Sequence, residues 1–273
     1  MAFAWIKGHG TENDFVLLPD HDGSVHADLD PGFVAALCER RRGVGADGVI
    51  RVIRTAAIGL PGEGEWFMDY RNADGSTSEM CGNGVRVFAL HLVQQGLVDP
   101  EQLITVSTRG GDKLVKVEPN GELTVDMGTA VVGGTSKVAT ADRIFEAHEV
   151  HTGNPHAVAF VDTVADAGPL RDAPEHDLDV YPNGVNVEFV ERVAPQHVRM
   201  RVHERGSGET RSCGTGACAV GVATALADGV VRPSTYRVDV LGGTLHVTWT
   251  AEERILLTGP AEIVAHGQME WTA

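Results

Sequence analysis

The sequence predicts a mixed α/β (α+β) fold of two pseudo-symmetric domains, each a curved, mainly antiparallel β-sheet or barrel wrapped around one central apolar α-helix. Three observations lead to this prediction. A phrase rich in cysteine and glycine occurs twice, an apolar helical segment follows each copy, and short β-prone segments fill most of the remaining chain. A chain of 273 residues with 42% hydrophobic content can bury one large core or two medium ones.

The doubled phrase reads MCGNG at 80–84 and SCGTG at 212–216, with its cysteines 132 residues apart. The same offset aligns polar, glycine-bearing loops that begin nine residues upstream of each cysteine. A second offset, 141, aligns 13–15 with 154–156, and 43–45 with 184–186. Because the segments keep their order and the offsets differ only by an insertion, we interpret them as a duplicated unit of about 130 residues.

The duplication sets the expected domain limits. We place an N-terminal domain at 1–121, carrying Cys81, and a C-terminal domain at 122–261, carrying Cys213. The final strand, about 262–273, is expected to return to the first domain. The active site is expected in the cleft between the two domains.

Short β-prone segments bounded by Gly, Pro, Asp or Asn predict the strands. In the first half these segments are 3–6, 16–18, 49–53, 65–70, 104–108, 113–117 and 123–127. In the second half they are 158–161, 185–190, 197–202, 237–240, 244–249 and 254–258. Two predicted helices, 85–94 and 217–227, are apolar nearly all round and are followed by Gly96 and Gly229 as C-terminal caps. A helix without a polar face is buried on every side, so each should form the centre of a domain.

The composition restricts the class of partner. A formal charge of −16, from 22 basic and 38 acidic residues, repels nucleic acid and anionic membrane surfaces, which favours a small-molecule partner. Charged side chains interrupt the first 18 residues, where a signal peptide would be apolar, and the longest apolar runs are too short to span a bilayer. We expect a cytoplasmic protein.

The four cysteines form no CxxC pair, so no metal site is expected and free thiols are the default in a reducing cytosol. Cys38 and Cys218 lie in apolar helical segments, where a thiol acts as a small hydrophobic group. Cys81 and Cys213 are therefore the candidates for chemistry.

A buried helix that begins beside each of these cysteines would present backbone amides and the positive end of its dipole. Those amides can hold an anion, and Gly82 and Gly214 allow it to approach closely. The same field is expected to favour ionisation of the adjacent thiol. Two such helix ends at one cleft could hold a carboxylate, with a thiol on each side of the neighbouring carbon.

This symmetry points to proton transfer at the α-carbon of an amino acid. The reaction needs a base on one face, an acid on the other, and stabilisation of charge on the carboxylate. A thiol with an ordinary pKa of about 8.5 needs only a modest downward shift to act as the base at neutral pH. The alternative, two cysteines that merely cap and pack, leaves the matched glycine turns unexplained.

Several strings resemble those of a known family. They are NADGS at 72–76, EMCGNGVR at 79–86, GNPH at 153–156, NGVN at 183–186, and ERG at 204–206 leading to CGTGACA at 213–219. Their identity and order closely resemble diaminopimelate epimerase from Lys7 to about Gly259. The resemblance implies a pyridoxal-independent amino-acid epimerase that interconverts LL- and meso-2,6-diaminopimelate for lysine and peptidoglycan biosynthesis. It also implies that no cofactor is needed and that the protein is a homodimer.

The resemblance assigns a role to each matching position. Cys81 and Cys213 match the two proton-transfer cysteines, and His156 and Glu204 match residues that tune the thiols. Residues expected to bind substrate are Asn13, Asn72, Gly82, Asn83, Asn154, Asn186, Glu204, Arg205, Gly214 and Thr215. Arginine grips a carboxylate through two contacts, while Asn and Glu offer acceptors to an ammonium group.

Some positions depart from the family pattern or have simpler interpretations. Thr11 and Glu12 stand where the family commonly has Leu-Gly, and Gly48 stands where some members use a glutamine on substrate. By sequence alone, Asn13, Asn154 and Asn186 are typical turn residues.

Three rival functions remain open at this point. A racemase for proline or hydroxyproline would use the same thiol pair, but its first motif usually carries His where Asn83 stands, and it would not need Arg205. A non-catalytic amino-acid-binding protein could share the two-domain form. A pyridoxal enzyme would need a lysine in a cofactor pocket, and none of the four lysines has a convincing setting.

Overall fold

The computed structural model describes residues 2–270. The chain forms two compact units: unit 1 runs to Val125 and includes the segment from Pro260 onward, and unit 2 is Asp126–Gly259. The last three residues of the final strand predicted at 262–273 lie outside the described residues. Between residues 2 and 270, no helix has the length and apolar character needed to cross a membrane.

Strands dominate both units. The helices are α1 Pro31–Cys38, α2 Thr55–Ile58, α3 Gly82–Gln94 and α4 Gly214–Ala227, and Val164–Ala167 forms one 3-10 turn. The strands are β1 Ala2–Gly10, β2 Asn13–Pro19, β3 Gly48–Arg54, β4 Trp66–Asn72, β5 Ile104–Ser107, β6 Lys113–Val117, β7 Leu123–Thr129, β8 Val131–Ala139, β9 Ile144–His151, β10 Pro155–Val161, β11 Glu175–His176, β12 Asn186–Ala194, β13 His197–Glu204, β14 Gly208–Thr210, β15 Ser234–Val240, β16 Gly243–Trp249, β17 Arg254–Gly259 and β18 Glu262–Glu270.

The two units repeat one strand order. In unit 1 the order is β18-β1-β2-β3-β4-β5-β6-β7, with parallel pairing only at β2–β3 and β4–β5 among these neighbours. In unit 2 it is β8-β9-β10-β12-β13-β15-β16-β17, with parallel pairing at the matching places, β10–β12 and β13–β15. The last strand of the chain thus holds in unit 1 the place that β8 holds in unit 2. The predicted mixed fold with mainly antiparallel, pseudo-symmetric sheets is confirmed.

One helix lies at the centre of each unit. Ten of the thirteen residues of α3 and eleven of the fourteen of α4 are buried. Helix α3 contacts strands from both ends of its sheet order, from β18 to β6, and α4 does the same from β9 to β17. Each sheet therefore curves around an apolar helix, as the sequence predicted.

Both central helices begin three residues before the predicted start and end as predicted. Cys81 and Cys213 are the N-cap residues. At the C-terminus of α3, Gly96 has φ +65°, and its N–H and that of Leu97 bond back to the last turn. Gly229 ends α4 in the same way with φ +63°. Glycine tolerates this left-handed conformation without steric cost.

Strand register identifies equivalent positions in the two units. Ile50 pairs with Tyr70 in β3–β4, and Glu188 pairs with Val202 in β12–β13. Because Tyr70 and Val202 differ by the 132-residue offset of the cysteines, Ile50 and Glu188 are equivalent, at an offset of 138. The predicted alignment of 43–45 with 184–186 is therefore wrong at Asn186, which is equivalent to Gly48, because the insertion lies between β2 and β3.

The offset of 141 does hold for the preceding strand. Phe15 pairs with Gly48 in β2–β3, and His156 pairs with Asn186 in β10–β12. Since Gly48 and Asn186 are equivalent by the register above, Phe15 and His156 are equivalent too.

Candidate active site

Cys81 lies at the N-terminus of α3 in unit 1. Its backbone is extended, with φ −141° and ψ 118°, and its carbonyl accepts the first helical hydrogen bond from the Val85 N–H at 2.9 Å. The first N–H groups of a helix have no acceptor within the helix, so Gly82 and Asn83 supply donors at this end. The thiol is partly exposed.

A chain of side-chain amides surrounds this thiol. Asn13 Oδ1 is 3.6 Å from Cys81 Sγ and accepts from Asn83 Nδ2 at 3.1 Å. Asn83 Oδ1 accepts from the buried Arg86 guanidinium at 3.0 Å. Asn13 Nδ2 donates to Asp47 Oδ2 at 2.8 Å. Arg86 and Asp47 therefore fix the orientation of the two amides, and the oxygen of Asn13 faces the thiol.

Asp47 belongs to a charged cluster beside this chain of amides. Arg40 bridges Asp47 and Asp14, and Lys7 also pairs with Asp14. Burial alone would raise the pKa of Asp14, but the hydrogen bonds and charges of Arg40 and Lys7 outweigh it and hold that pKa well below its usual range. Burial raises the pKa of Asp47, although the hydrogen bond from Asn13 opposes the rise.

The two departures from the family pattern lie at a tight turn and at a close backbone contact. Thr11 and Glu12 have φ +49° and +62° and form the tight turn between β1 and β2, with the Glu12 side chain exposed. The turn keeps Asn13 in its amide chain. At Gly48, an added Cβ would lie 2.5 Å from the Tyr70 ring and 2.6 Å from the Arg71 carbonyl oxygen, so only glycine fits.

Asn72 is held within its own turn. It ends β4, and its Nδ2 donates to the Ser76 hydroxyl at 3.0 Å. Gly75, in the same turn, has φ +86° and would carry a Cβ 2.5 Å from the Pro31 backbone. The loop ahead of Cys81 is thus fixed by close packing.

Cys213 occupies the equivalent place at the N-terminus of α4 in unit 2, but it is only 5% exposed. Its Sγ accepts from the Gly216 N–H at 3.3 Å and lies 3.5 Å from the Thr215 hydroxyl. Thr152 Oγ1 donates to the Thr215 carbonyl at 3.0 Å, which anchors this helix end to the loop before β10.

Two carboxyl groups accompany this second thiol. Burial raises the pKa of the Cys213 thiol well above its ordinary value, and the charges of Glu204 and Glu188 raise it further. Burial also raises the pKa of Glu204, against hydrogen bonds with Thr210 and Cys213. From the sequence, the helix end is expected to favour ionisation of the thiol. At Cys213 that expectation is wrong, because burial and two carboxylates outweigh the helix end.

His156 lies on β10 and is fully buried. Its Nδ1 is 2.6 Å from Glu188 Oε1, and its Nε2 is 2.8 Å from Asn154 Oδ1. An added Cβ on Gly216 would lie 2.8 Å from the same Glu188 oxygen, so glycine lets the carboxylate pack against the first turn of α4.

Asn186 and Arg205 form the remaining part of this group. Asn186 Nδ2 donates to the Pro155 carbonyl at 3.0 Å, and its Oδ1 accepts from the Arg205 N–H at 2.9 Å. The exposed Arg205 side chain crosses Gly184 and donates to the Asn183 carbonyl at 3.1 Å.

The structure brings some of the predicted residues together within each unit and leaves others in separate contacts. Unit 1 joins Cys81, Asn13 and Asn83 directly, with Asn72 bonded inside its own turn. Unit 2 links Cys213 to Glu204 and Thr215, and His156 to Asn154. Within residues 2–270, no group of three or more His, Cys, Asp or Glu residues could hold a metal ion.

Sequence reasoning missed three residues of these clusters: Asp47, Arg86 and Glu188. Glu188 had a readable signal, since it is the one charged residue in the apolar run Val185–Val190 that was predicted as a strand. Arg86 is likewise a charge in a helix predicted to be buried on every side. Asp47, next to a glycine at a turn, offered no such signal.

The chain is similar to proteins of one named family. The family model described as diaminopimelate epimerase matches residues 5–133 and 149–264. A diaminopimelate epimerase of Streptomyces coelicolor is 54% identical, covering 98% of this chain and 95% of that protein. One from Thermobifida fusca is 46% identical, covering 100% and 99%.

Solved structures share the fold at low identity. A phenazine biosynthesis protein of the PhzF family from Bacillus anthracis has a TM-score of 0.72 at 16% identity, covering 99% of this chain and 100% of that one. A hydroxyproline epimerase from Agrobacterium vitis has a TM-score of 0.68 at 16% identity, covering 98% and 92%. At such identity these structures support the fold alone.

Proposed function

The chain belongs to the diaminopimelate epimerase family, and we propose that it catalyses the reaction for which that family is named, the interconversion of LL- and meso-2,6-diaminopimelate. The observation that carries the proposal is the pair of cysteine N-caps, one on each central helix, inside a chain 54% identical to a named epimerase. The protein is an isomerase acting on a small amino acid.

Cys81 and Cys213 act on opposite faces of one α-carbon. A thiolate on one face takes the α-proton, and the electron pair of the C–H bond stays on the α-carbon, where the adjoining carboxylate delocalises it. The thiol on the other face then gives its proton to the α-carbon. The first N–H groups of α3 and α4, at Gly82, Asn83, Gly214 and Thr215, stabilise the charge on the reacting carboxylate.

The two thiols enter the reaction in different states. The raised pKa of Cys213 keeps it protonated in the resting enzyme, which makes it the acid and leaves Cys81 as the base. In the opposite direction Glu204, within hydrogen-bonding reach of Cys213, takes up the thiol proton. His156 and Glu204 therefore tune the second thiol.

The distal amino-acid end of the substrate binds to the polar residues of both clusters. Arg205 grips the distal carboxylate, while Asn72, Asn154 and Asn186 contact the distal zwitterion with Asn13 and Glu204. Asn186 uses one Nδ2 hydrogen on Pro155, which leaves the other for substrate. This set of groups suits diaminopimelate better than proline, which has no second zwitterion.

The enzyme works as a homodimer in the cytoplasm, in lysine and peptidoglycan biosynthesis. The family resemblance supports the dimer and the pathway. All four cysteines are thiols outside any disulfide, which suits a reducing compartment. Sedimentation equilibrium of the purified protein tests the dimer, and a mass of one chain at micromolar concentration would contradict it.

The activity test is incubation with LL-diaminopimelate in deuterium oxide. We expect meso product carrying deuterium at one α-carbon. Cys81→Ser and Cys213→Ser should each abolish inversion, while Cys218→Ala, a buried thiol of the same helix as Cys213, should retain it. Absence of both deuterium and meso product with the wild type would refute the proposed function.

A second experiment separates the two bases. Cys213→Ala keeps the Cys81 thiol, and so should exchange the α-hydrogen of one isomer for deuterium without inverting it. Cys81→Ala should do the same for the other isomer, more slowly because the pKa of Cys213 is raised. If both variants exchange the same isomer, the cysteines do not serve opposite faces.

A further inference from the structure

Two buried side chains beside the first turn of α4 differ in kind from their counterparts in unit 1. His156 and Glu188 are 0% exposed, and 2.6 Å separates Nδ1 from Oε1. Their equivalents, Phe15 and Ile50, are also 0% exposed and pack against Gly84 of α3. The same scaffold therefore holds an apolar pair in one unit and an ionisable pair in the other.

Stability does not account for the ionisable pair. Burying two charged groups costs desolvation that their attraction only partly repays, and an apolar pair of similar volume is often as stable or more stable. Unit 1 demonstrates that Phe and Ile fit this position. The pair in unit 2 therefore calls for a functional explanation.

The hydrogen bonds of His156 define its proton state. Nδ1 faces the carboxylate oxygen of Glu188, and Nε2 faces the amide oxygen of Asn154 at 2.8 Å. The Asn154 amide oxygen can only accept, so Nε2 carries a hydrogen, and an ionised Glu188 carboxylate accepts from Nδ1, so beside that carboxylate both ring nitrogens are donors. An imidazole with two N–H groups is the imidazolium cation.

Ionisable groups from several elements surround this cation. Glu188 lies on β12, Glu204 on β13, and Cys213 at the start of α4. Tyr181, in the loop before β12, is hydrogen-bonded to Ser136, and the charge of Glu188 contributes to its raised pKa. Without the cation, two carboxylates would share this desolvated region with the thiol.

We propose that Glu188 is a positioning residue that holds His156 as an imidazolium beside Cys213 and Glu204. The inference rests on the proposed function for its effect on turnover. Glu188 neutralises and orients the ring, the Nε2–H fixes the Asn154 amide oxygen, and the cation lets Glu204 carry the negative charge it needs to accept the Cys213 proton.

The proton state is measured without any turnover, by NMR of protein labelled with ¹⁵N-histidine. We expect two one-bond N–H correlations for His156 at neutral pH, assigned by their loss in His156→Asn. In Glu188→Gln we expect a neutral ring with one N–H. A wild-type ring with a single N–H would overturn the proposal, whether or not the protein is an epimerase.

Kinetics then test the consequence. Glu188→Gln should lower kcat by about tenfold or more with KM changed less than about twofold, because the proton step and not substrate binding is affected. Glu188→Asp should restore part of kcat. The matched control is Glu191→Gln on the same strand, where the carboxylate pairs with Arg199, and it should keep wild-type kcat. Wild-type kcat in Glu188→Gln would refute the inference while leaving the epimerase assignment intact.

A double substitution tests whether the His156–Glu188 pair has only a structural role. His156→Phe with Glu188→Ile copies the pair of unit 1 and should fold with a thermal midpoint at or above that of the wild type, yet lose epimerisation by a factor of about a hundred or more. A folded double variant with normal turnover would show that the pair only packs.

Discussion

The helix position three residues after each cysteine offers a matched pair of substitutions, Gly84→Ala and Gly216→Ala. Both glycines are buried in the first turn of a central helix, and alanine favours a helix interior over glycine by about 1 kcal/mol. Their surroundings differ. A Cβ at Gly84 meets the flexible end of Ile50 at 3.3 Å, whereas a Cβ at Gly216 meets Glu188 Oε1 at 2.8 Å and Cys213 Sγ at 3.3 Å.

The magnitude follows from what must move. Glu188 is fully buried and bonded to His156, so displacing it adds about 1–3 kcal/mol of overpacking and weakens a charge-assisted hydrogen bond of about 1.5–3 kcal/mol. After the helix gain, Gly216→Ala should be less stable than wild type by about 2–4 kcal/mol. Gly84→Ala should lie within about 1 kcal/mol of wild type, since Ile50 can adjust.

Urea unfolding of the two variants and the wild type, followed by far-UV circular dichroism, measures the difference. Turnover should fall in Gly216→Ala more than in Gly84→Ala, because the displaced carboxylate no longer holds His156. Equal unfolding free energies for the two variants would refute the reasoning, since it depends on Glu188 being unable to move away. A stabilised Gly216→Ala would do so even more directly.

Two further predictions concern unit 1. Burial, with the nearby charge of His21, lowers the pKa of His91 to about 4. Between pH 6.5 and 4 the unfolded chain therefore binds a proton that the folded chain does not, so the free energy of unfolding falls as pH falls. His91→Leu should flatten this loss by up to about 1.4 kcal/mol per pH unit, measured by urea unfolding at pH 7 and pH 5; an unchanged slope would contradict it. Asp47→Ala removes the acceptor that orients Asn13 and should lower kcat/KM by about tenfold. The control is Glu39→Ala, because the half-buried Glu39 carboxylate accepts from the Arg41 and Arg42 N–H groups and has no bond to Asn13; this variant should keep the wild-type value. Equal rates in the two variants would exclude the orienting role of Asp47.

The sequence predicted most of the architecture because the duplication leaves a regular trace. Apolar runs, glycine caps and the doubled phrase located both central helices. The helix starts were missed by three residues because Gly82 and Gly214 have low helix propensity, and the N-cap role of the cysteines becomes visible only in the backbone. Strands β8 and β9 were not predicted; in β8, Gly133 and Gly134 interrupt a largely exposed segment.

The sites were less predictable than the fold, and for a physical reason. Cys81 and Cys213 sit in nearly identical phrases, yet their neighbours come from strands distant in sequence. The pKa of Cys213 depends on burial and on Glu188 and Glu204, which no local pattern brings together. The helix end favours ionisation of the thiol, but at Cys213 burial and the two carboxylates have a larger effect in the opposite direction.

Duplication alone would give two equal thiols, but the proposed inversion needs one thiol as the acid and the other as the base at the same moment. The two units differ where that need is greatest: beside Cys81 lie neutral amides backed by the Arg86 cation, and beside Cys213 lie two carboxylates backed by the His156 cation. The difference is clearest at two equivalent positions, where unit 1 has the apolar Phe15 and Ile50 and unit 2 has the ionisable His156 and Glu188. The strand register at these positions is the same in both units. The two thiols thus differ in environment because different side chains pack beneath each helix end. The helix ends themselves are common to both units and do not cause the difference.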